Sequence, residues 1–161
     1  MKEDDVAYIA GVVDSLGRFR VEISEDDDFK TGYKIEPYVQ ISRSDPQTAV
    51  FGLFEEYCSE QGVRWEIKDS GTTMLFKISD AESIERFYGP LAPYLIQQSE
   101  LASIFMGEIL PAYEEKEYLT KQGFYEMVEL TNELYRNDPS INKWKYEPEF
   151  FSEKWRDEIE T

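Results

Sequence analysis

The chain has 161 residues, enough for one domain whose core buries roughly 70% of the surface of the unfolded chain. It contains no histidine and a single cysteine, Cys58, which excludes Ser-His-Asp and Cys-His catalysis, histidine-ligated zinc and an intrachain disulfide. The formal net charge of -17, from 34 acidic and 17 basic residues, opposes contact with nucleic acid in dilute salt.

The acidic composition leaves two interpretations open, a salt-adapted protein from a halophilic host or a chain with an acidic surface for a partner. Molar salt shortens the Debye length to about 3 Å, which makes a strongly acidic surface tolerable. No segment has the ~20 apolar residues needed to cross a bilayer, and the N-terminus is acidic instead of a basic leader. We therefore expect a soluble cytoplasmic protein with no membrane partner.

The first predicted helix covers residues 4–15, where apolar residues recur at helical spacing behind a cap at Asp4 or Asp5. Small side chains three or four positions apart form a flat stripe on this helix, on which another helix could approach closely. The members of the stripe are Ala7, Ala10, Gly11 and Asp14. Gly17 is expected to end the helix.

Alternation of apolar and polar residues predicts strands over residues 19–23 and 33–43, separated by a charged loop. Ser44-Asp45-Pro46 has the sequence of a helix start, and Gly62 is expected to end that helix, with Cys58 in its apolar face. A hairpin of strands over residues 63–69 and 72–78 is predicted around Ser70-Gly71.

The rest of the chain is predicted to be helical. Ser79-Asp80 caps one helix, a second covers residues 98–109 and stops at Pro111, and Thr120 caps a third that ends near residue 136. The aromatic tail, residues 137–161, is expected to dock on the domain. The predicted fold class is α+β, with a helix-strand-strand-helix-strand-strand-helix core in residues 1–112 and a helical extension packed on it in residues 113–161.

Two motifs carry a family resemblance. Residues 9–17, Ile-Ala-Gly-Val-Val-Asp-Ser-Leu-Gly, resemble the LAGLIDADG nonapeptide, which in homing endonucleases lies on the first helix of an αββαββα unit and leads into the first strand. Residues 118–124, Tyr-Leu-Thr-Lys-Gln-Gly-Phe, look like the Leu-Thr-x-x-Gly helix start late in the same family. The alternative is that Ala10 and Gly11 are small core residues of an unrelated α+β domain.

The resemblance implies a homodimer joined at the small-residue stripe, because a single-motif chain pairs its motif helix with that of a second copy. It also implies a metal-binding acid at the eighth motif position, where this chain has Leu16. Leucine offers no oxygen ligand to Mg²⁺, so we expect no cofactor and no metal-dependent cleavage. Asp14 lies about 200° around the helix and is interpreted as structural.

Secondary catalytic positions of the family, which order water at the scissile phosphate, align near Arg43, Gln47 and Gln98. Gln98 stands where an active enzyme is expected to have lysine. None of the three supplies an evident metal-free mechanism for hydrolysis.

The family binds duplex DNA with the outer face of its strands, so alternate strand residues are the candidate DNA contacts. Of the 15 residues on that predicted face, six are basic and three acidic, the reverse of the whole chain, which favours a retained nucleic-acid surface. The candidate DNA-binding residues are Arg18, Arg20, Lys34, Gln40, Ser42, Arg64, Lys68 and Lys77.

Three functions remain open at this stage. The first is a dimeric DNA-binding protein that has lost cleavage. The second is an active LAGLIDADG endonuclease with a rearranged Mg²⁺ site, and the third is an acidic protein-interaction or DNA-mimic module. An ordinary exposed sheet of mixed charge would also account for the strand residues.

Overall fold

The first helix runs into the first strand without a loop: α1 spans Glu3–Leu16 and β1 spans Gly17–Glu25. The computed structural model describes residues 1–43 and 48–161. A Cβ atom at Gly17 would lie 2.6 Å from the carbonyl oxygen of Val13, so only glycine permits this junction. The predicted cap at Asp4 or Asp5 is wrong, because both lie inside the first turn, where their charge favours the helix dipole.

The sheet has four strands in the order β1-β2-β4-β3, with β2 at Tyr33–Arg43, β3 at Glu66–Asp69 and β4 at Met74–Ile78. Strand β4 pairs antiparallel with both β2 and β3. Burial alternates along β1 and β2 as the sequence predicted, so that one face is apolar and covered. The predicted turn at Ser70-Gly71 is confirmed, with Gly71 at φ +87°.

Residues 1–20 and 38–100 form one compact unit. Helices α2 (Thr48–Gln61) and α3 (Ala81–Tyr88) lie in this unit. Four phenylalanine rings, with centroids 5.4 to 6.4 Å apart, join both helices to the apolar face of β4. These are Phe51, Phe54, Phe76 and Phe87.

Two further features of this unit agree with the sequence, the burial of Cys58 and the start of α3. Cys58 is fully buried in the core, as predicted. The Asp80 side chain caps α3 by accepting a hydrogen bond from the Ser83 N–H at 2.9 Å, which confirms the predicted helix start. The start predicted for α2 at residues 44–46 lies outside the described residues.

Residues 21–37 and 101–161 form the second compact unit, so residues 113–161 belong with 101–112 and with parts of β1 and β2. The predicted helix stop at Pro111 is wrong. Helix α4 (Ser99–Ile104) continues through a π-helical turn (Phe105–Ile109) into α5 (Leu110–Glu114). The wider π turn relieves the clash of a proline ring with the preceding turn, so the helix passes the proline.

Helices α6 (Lys121–Arg136) and α7 (Pro148–Lys154) complete the second unit. Thr120 caps α6 by accepting from the Gly123 N–H at 3.1 Å, as predicted. A Cβ atom at Gly123 would collide with the Glu117 carbonyl oxygen, which explains the glycine of the Leu-Thr-x-x-Gly motif.

The aromatic tail docks as expected. The ring of Tyr33 on β2 lies 5.0 Å from that of Phe151 and 6.0 Å from that of Trp155, and Phe151 also contacts Phe124 of α6. These rings form the aromatic core of the second unit. Within the described part of the chain, no helix combines the length and apolar character that crossing a membrane requires.

Candidate nucleic-acid interface and the end of the first helix

The last turn of α1 is held by the side chain of Asp14. Its two carboxylate oxygens accept backbone N–H groups of Ile96, Gln97 and Gln98 at 3.2, 3.0 and 2.9 Å. Three N–H groups converge on one ionised carboxylate, which is the strong, charge-assisted class of hydrogen bond. Asp14 therefore fixes the segment that precedes α4, in agreement with the structural role predicted for it.

Gln98 makes the reciprocal contact, because its side chain donates hydrogen bonds to backbone carbonyls near the end of α1. Its side-chain amide nitrogen Nε2 lies 3.3, 3.0 and 2.6 Å from the carbonyl oxygens of Val13, Asp14 and Gly17, to which it donates. Val13 and Asp14 lie in the last turn of α1 and Gly17 begins β1, so this amide spans the junction of the helix and the strand. With only 6% of its surface exposed, Gln98 is turned into the protein at a position where the family resemblance implied a water-ordering group.

Two apolar side chains are exposed beside this contact. Leu16 is 36% exposed and Ile96 is 82% exposed, and the backbone N–H of Ile96 is itself bound by Asp14. The motif in the sequence points to Leu16 but not to Ile96. Ile96 lies between two predicted helices, where helical periodicity gives no signal.

The donor atoms at the end of α1 do not fit a divalent metal. Leu16 offers only hydrocarbon, and both oxygens of Asp14 already accept backbone N–H groups. Mg²⁺ requires several oxygen ligands in near-octahedral geometry. Across residues 1–43 and 48–161, no group of three or more acidic or cysteine side chains is arranged to hold a metal ion.

The four residues of the predicted dimer stripe on α1 differ in their exposure. Ala7 and Gly11 are exposed, and no atom lies within 4 Å of a Cβ built at Gly11, so this part of the helix is open. Ala10 is fully buried within its own chain and offers no surface to a second copy. The exposed face instead includes Tyr8, which is 53% exposed, while Asp14 is bound within the chain.

The basic residues of β1 lie on its half-buried face. One terminal nitrogen of Arg18 donates to the carbonyl oxygens of Ser15 and Gly17 at 3.3 and 2.7 Å. The guanidinium of Arg20 donates to the carbonyl oxygen of Phe19 at 3.0 Å. These contacts orient both guanidinium groups along β1.

Each lysine of β2, β3 and β4 lies close to a carboxylate or an aromatic ring of its own strand or of a neighbouring strand. The ammonium nitrogen of Lys34 lies 3.4 Å from a carboxylate oxygen of Glu36, and that of Lys68 lies 3.9 Å from one of Glu66. Lys77 lies over the ring of Tyr38, 4.3 Å from its centroid, and opposes Gln40 in the strand register. This set is mixed in charge and solvent-accessible.

Arg64 differs from the other predicted contacts. It precedes β3, and its guanidinium pairs with Asp80 at 2.7 Å and with Glu82 at 3.6 Å at the start of α3. Although partial burial raises the pKa of Asp80, the hydrogen bonds from Arg64 and Ser83 bring that pKa below its usual value. The alternating pattern therefore predicted a start of β3 that is too early. The guanidinium of Arg64 pairs with residues at the start of α3.

The remaining predicted positions are Ser42, Arg43 and Gln47. Ser42 is exposed and opposes Leu75, and Arg43 is half-buried at the end of β2 opposite Met74. Gln47 lies outside the described residues.

The element order, the four-stranded sheet and the helix-to-strand motif define the fold of the LAGLIDADG homing endonucleases, and solved structures show it over the whole chain. The homing endonuclease I-CvuI, solved with the I-CreI target in 2 mM Mg and with its DNA not cleaved, superposes with a TM-score of 0.81. The superposition covers 97% of each chain at 16% identity. I-Vdi141I, an archaeal intron-encoded homing endonuclease complexed with DNA, gives a TM-score of 0.76 at 21% identity, over 96% of this chain and 99% of the other.

Longer chains contain the same fold as part of their length. The I-LtrWI LAGLIDADG homing endonuclease, bound to target DNA, matches with a TM-score of 0.73 and 20% identity, over 99% of this chain but 51% of its own. No family model and no curated relative matches the sequence. The likeness is therefore one of fold.

Proposed function

We propose that this chain is a duplex-DNA-binding protein that acts as a homodimer and does not cleave DNA by a metal-dependent mechanism. The observation that carries the proposal is the charge of the strand residues opposite the core. In a chain with twice as many acidic as basic residues, that face remains predominantly basic even without Arg64, with five basic and three acidic residues. A local reversal of charge of this kind is expected of a phosphate-binding surface.

The homodimer is supported by the exposed face of α1 and by the length of the chain. Gly11, with Ala7 beside it, leaves an open helix surface on which a second helix could approach closely. The chain also accounts for about half of I-LtrWI, so a second copy would supply the remaining half of such a molecule. A two-fold interface at α1 brings the Leu16 side chains of both copies toward a common axis.

The absence of cleavage is supported by the chemistry at the end of α1. An enzyme that hydrolyses phosphodiesters with metal ions needs ligands that generate hydroxide and stabilise the leaving oxygen. Here the eighth motif position is apolar, Asp14 is bound by three backbone N–H groups, and Gln98 is buried against α1.

A matched pair of variants tests the DNA contact. The sheet variant Lys34→Gln/Lys68→Gln removes two exposed cations from the strands, whereas Lys2→Gln/Lys143→Gln removes the same charge elsewhere. The sheet variant should weaken binding to a labelled duplex about tenfold or more near 0.1 M salt, because each lost phosphate contact forfeits the release of roughly one counterion. Equal effects of the two variants would place the contact on another surface.

The two alternative functions give different results in the same assays. Metal-dependent strand breakage by purified wild-type protein would establish the active endonuclease. Failure of the wild type to bind duplex DNA at any salt concentration would favour the protein-interaction module, for which the acidic composition is the supporting observation.

A further inference from the structure

Two lysines of the proposed DNA surface, Lys34 and Lys68, are paired with glutamates of the same surface. Glu66 opposes Lys77 in the strand register, and its carboxylate lies 3.9 Å from the ammonium nitrogen of Lys68. The ammonium nitrogen of Lys77 itself lies over the ring of Tyr38, 4.3 Å from its centroid. On β2, Glu36 pairs with Lys34 at 3.4 Å.

These pairs follow from strand geometry, because residues two apart lie on the same face of a strand. All four side chains are more than a third exposed, so such pairs contribute little to folding. The glutamates of these pairs instead affect the binding of any anion that approaches the lysines. A phosphate that takes Lys34 or Lys68 must displace a carboxylate, which then faces the polyanion without its partner.

We infer that Glu36 and Glu66 set the salt dependence of DNA binding by competing with phosphate for the lysines of the sheet. The inference rests on the proposed DNA-binding function and specifies how that surface responds to ions. A lysine that contacts a phosphate releases about 0.9 of a condensed cation from the duplex. The glutamate it leaves takes up a cation from solution, because an unpaired carboxylate beside phosphate is electrostatically unfavourable.

The two ion movements oppose each other, so the net release of salt is smaller than the number of phosphate contacts. Binding then loses less affinity per decade of salt than it would with a face of unpaired lysines. This behaviour agrees with the net charge of -17, which is tolerated best where salt is concentrated. The glutamates thereby reduce affinity in dilute salt and preserve it in concentrated salt.

The experiment measures duplex binding by the full chain across a salt series. A labelled mixed-sequence duplex is titrated in KCl from about 0.1 to about 1 M with the wild type, with Glu36→Gln/Glu66→Gln, and with Glu129→Gln/Glu133→Gln. The last variant removes the same charge from exposed positions of α6. Melting temperatures are compared to confirm that all three proteins fold.

Removal of both sheet glutamates should tighten binding in dilute salt. It should also steepen the plot of log affinity against log salt by up to about two per chain, or roughly a further hundredfold loss per decade. A slope equal to that of the α6 control overturns the inference while DNA binding by the wild type leaves the proposed function intact. If no variant binds at the lowest salt, the proposed function fails and the inference fails with it.

Discussion

Replacing Asp14 with asparagine removes the charge that holds the end of α1 against the segment before α4, and it changes little else in size or shape. The carboxylate accepts three backbone N–H groups, from Ile96, Gln97 and Gln98. Asparagine retains one carbonyl oxygen, and its NH₂ group would face at least one backbone N–H, so a hydrogen bond becomes a contact between two donors.

The size of the effect follows from these contacts. A hydrogen bond to a charged group contributes about 1.5–3 kcal/mol, and the lower value applies because two of the three bonds to Asp14 are solvent-exposed. Loss of one or two bonds, together with the donor-donor contact, should lower the free energy of unfolding by about 2–3 kcal/mol. For a chain of this length, a change of 1 kcal/mol moves the melting temperature by roughly 3 °C.

Thermal unfolding followed by circular dichroism should therefore show Asp14→Asn melting about 6–9 °C below the wild type. Ser15→Ala, a change at the neighbouring exposed position, should stay within about 0.5 kcal/mol of the wild type. An unchanged melting temperature for Asp14→Asn would refute the structural role. If Asp14→Asn abolished a metal-dependent cleavage by the wild type without lowering the melting temperature, Asp14 would be a metal ligand.

Three further predictions concern α1 and the core. Gly11→Leu should reduce a dimer of twice 18.9 kDa to the monomer in light scattering without loss of stability, because the position is open and leucine favours helix. As a control, Gly52→Leu changes an equally open helical glycine and should leave the dimer intact. A wild type that is monomeric at tens of micromolar would contradict the proposed interface. Leu16→Asp should make the melting temperature rise with added Mn²⁺, since metal would neutralise two carboxylates near the axis, and the wild type should show no such rise. Burial raises the pKa of the Cys58 thiol to about 12. Thiol reagents at pH 8 should therefore modify Cys58 only as fast as the core opens. Rapid labelling of the folded protein would contradict the buried position of Cys58.

Local patterns predicted most of the fold because they report short-range physics. The strand alternation of β1 and β2, the Asp80 and Thr120 caps and the Gly71 turn all depend on residues within a few positions of one another. The start of β3 was less accurate, because Arg64 continues the alternation although its guanidinium is held by Asp80 on α3. Such a long-range ion pair leaves no trace in a periodic pattern.

Other features that the sequence pattern does not predict have the same origin. Helical spacing groups Ala10 with Gly11, yet only packing within the unit determines that Ala10 is buried and Gly11 is open. Proline usually ends a helix, but the π turn that precedes Pro111 lets this helix continue. Gln98 is 84 residues from Asp14, so their mutual hydrogen bonds could not be derived from sequence separation.

Asp14 and Leu16 lie two positions apart near the end of α1, and they differ in how strongly each is needed for the fold. Changes at position 14 are constrained by three backbone hydrogen bonds, whereas the side chain of Leu16 forms no polar contact and is 36% exposed. Substitutions at position 16 should therefore cost the fold less than substitutions at position 14. The end of α1 can keep its shape while the chemical character of its last residue changes.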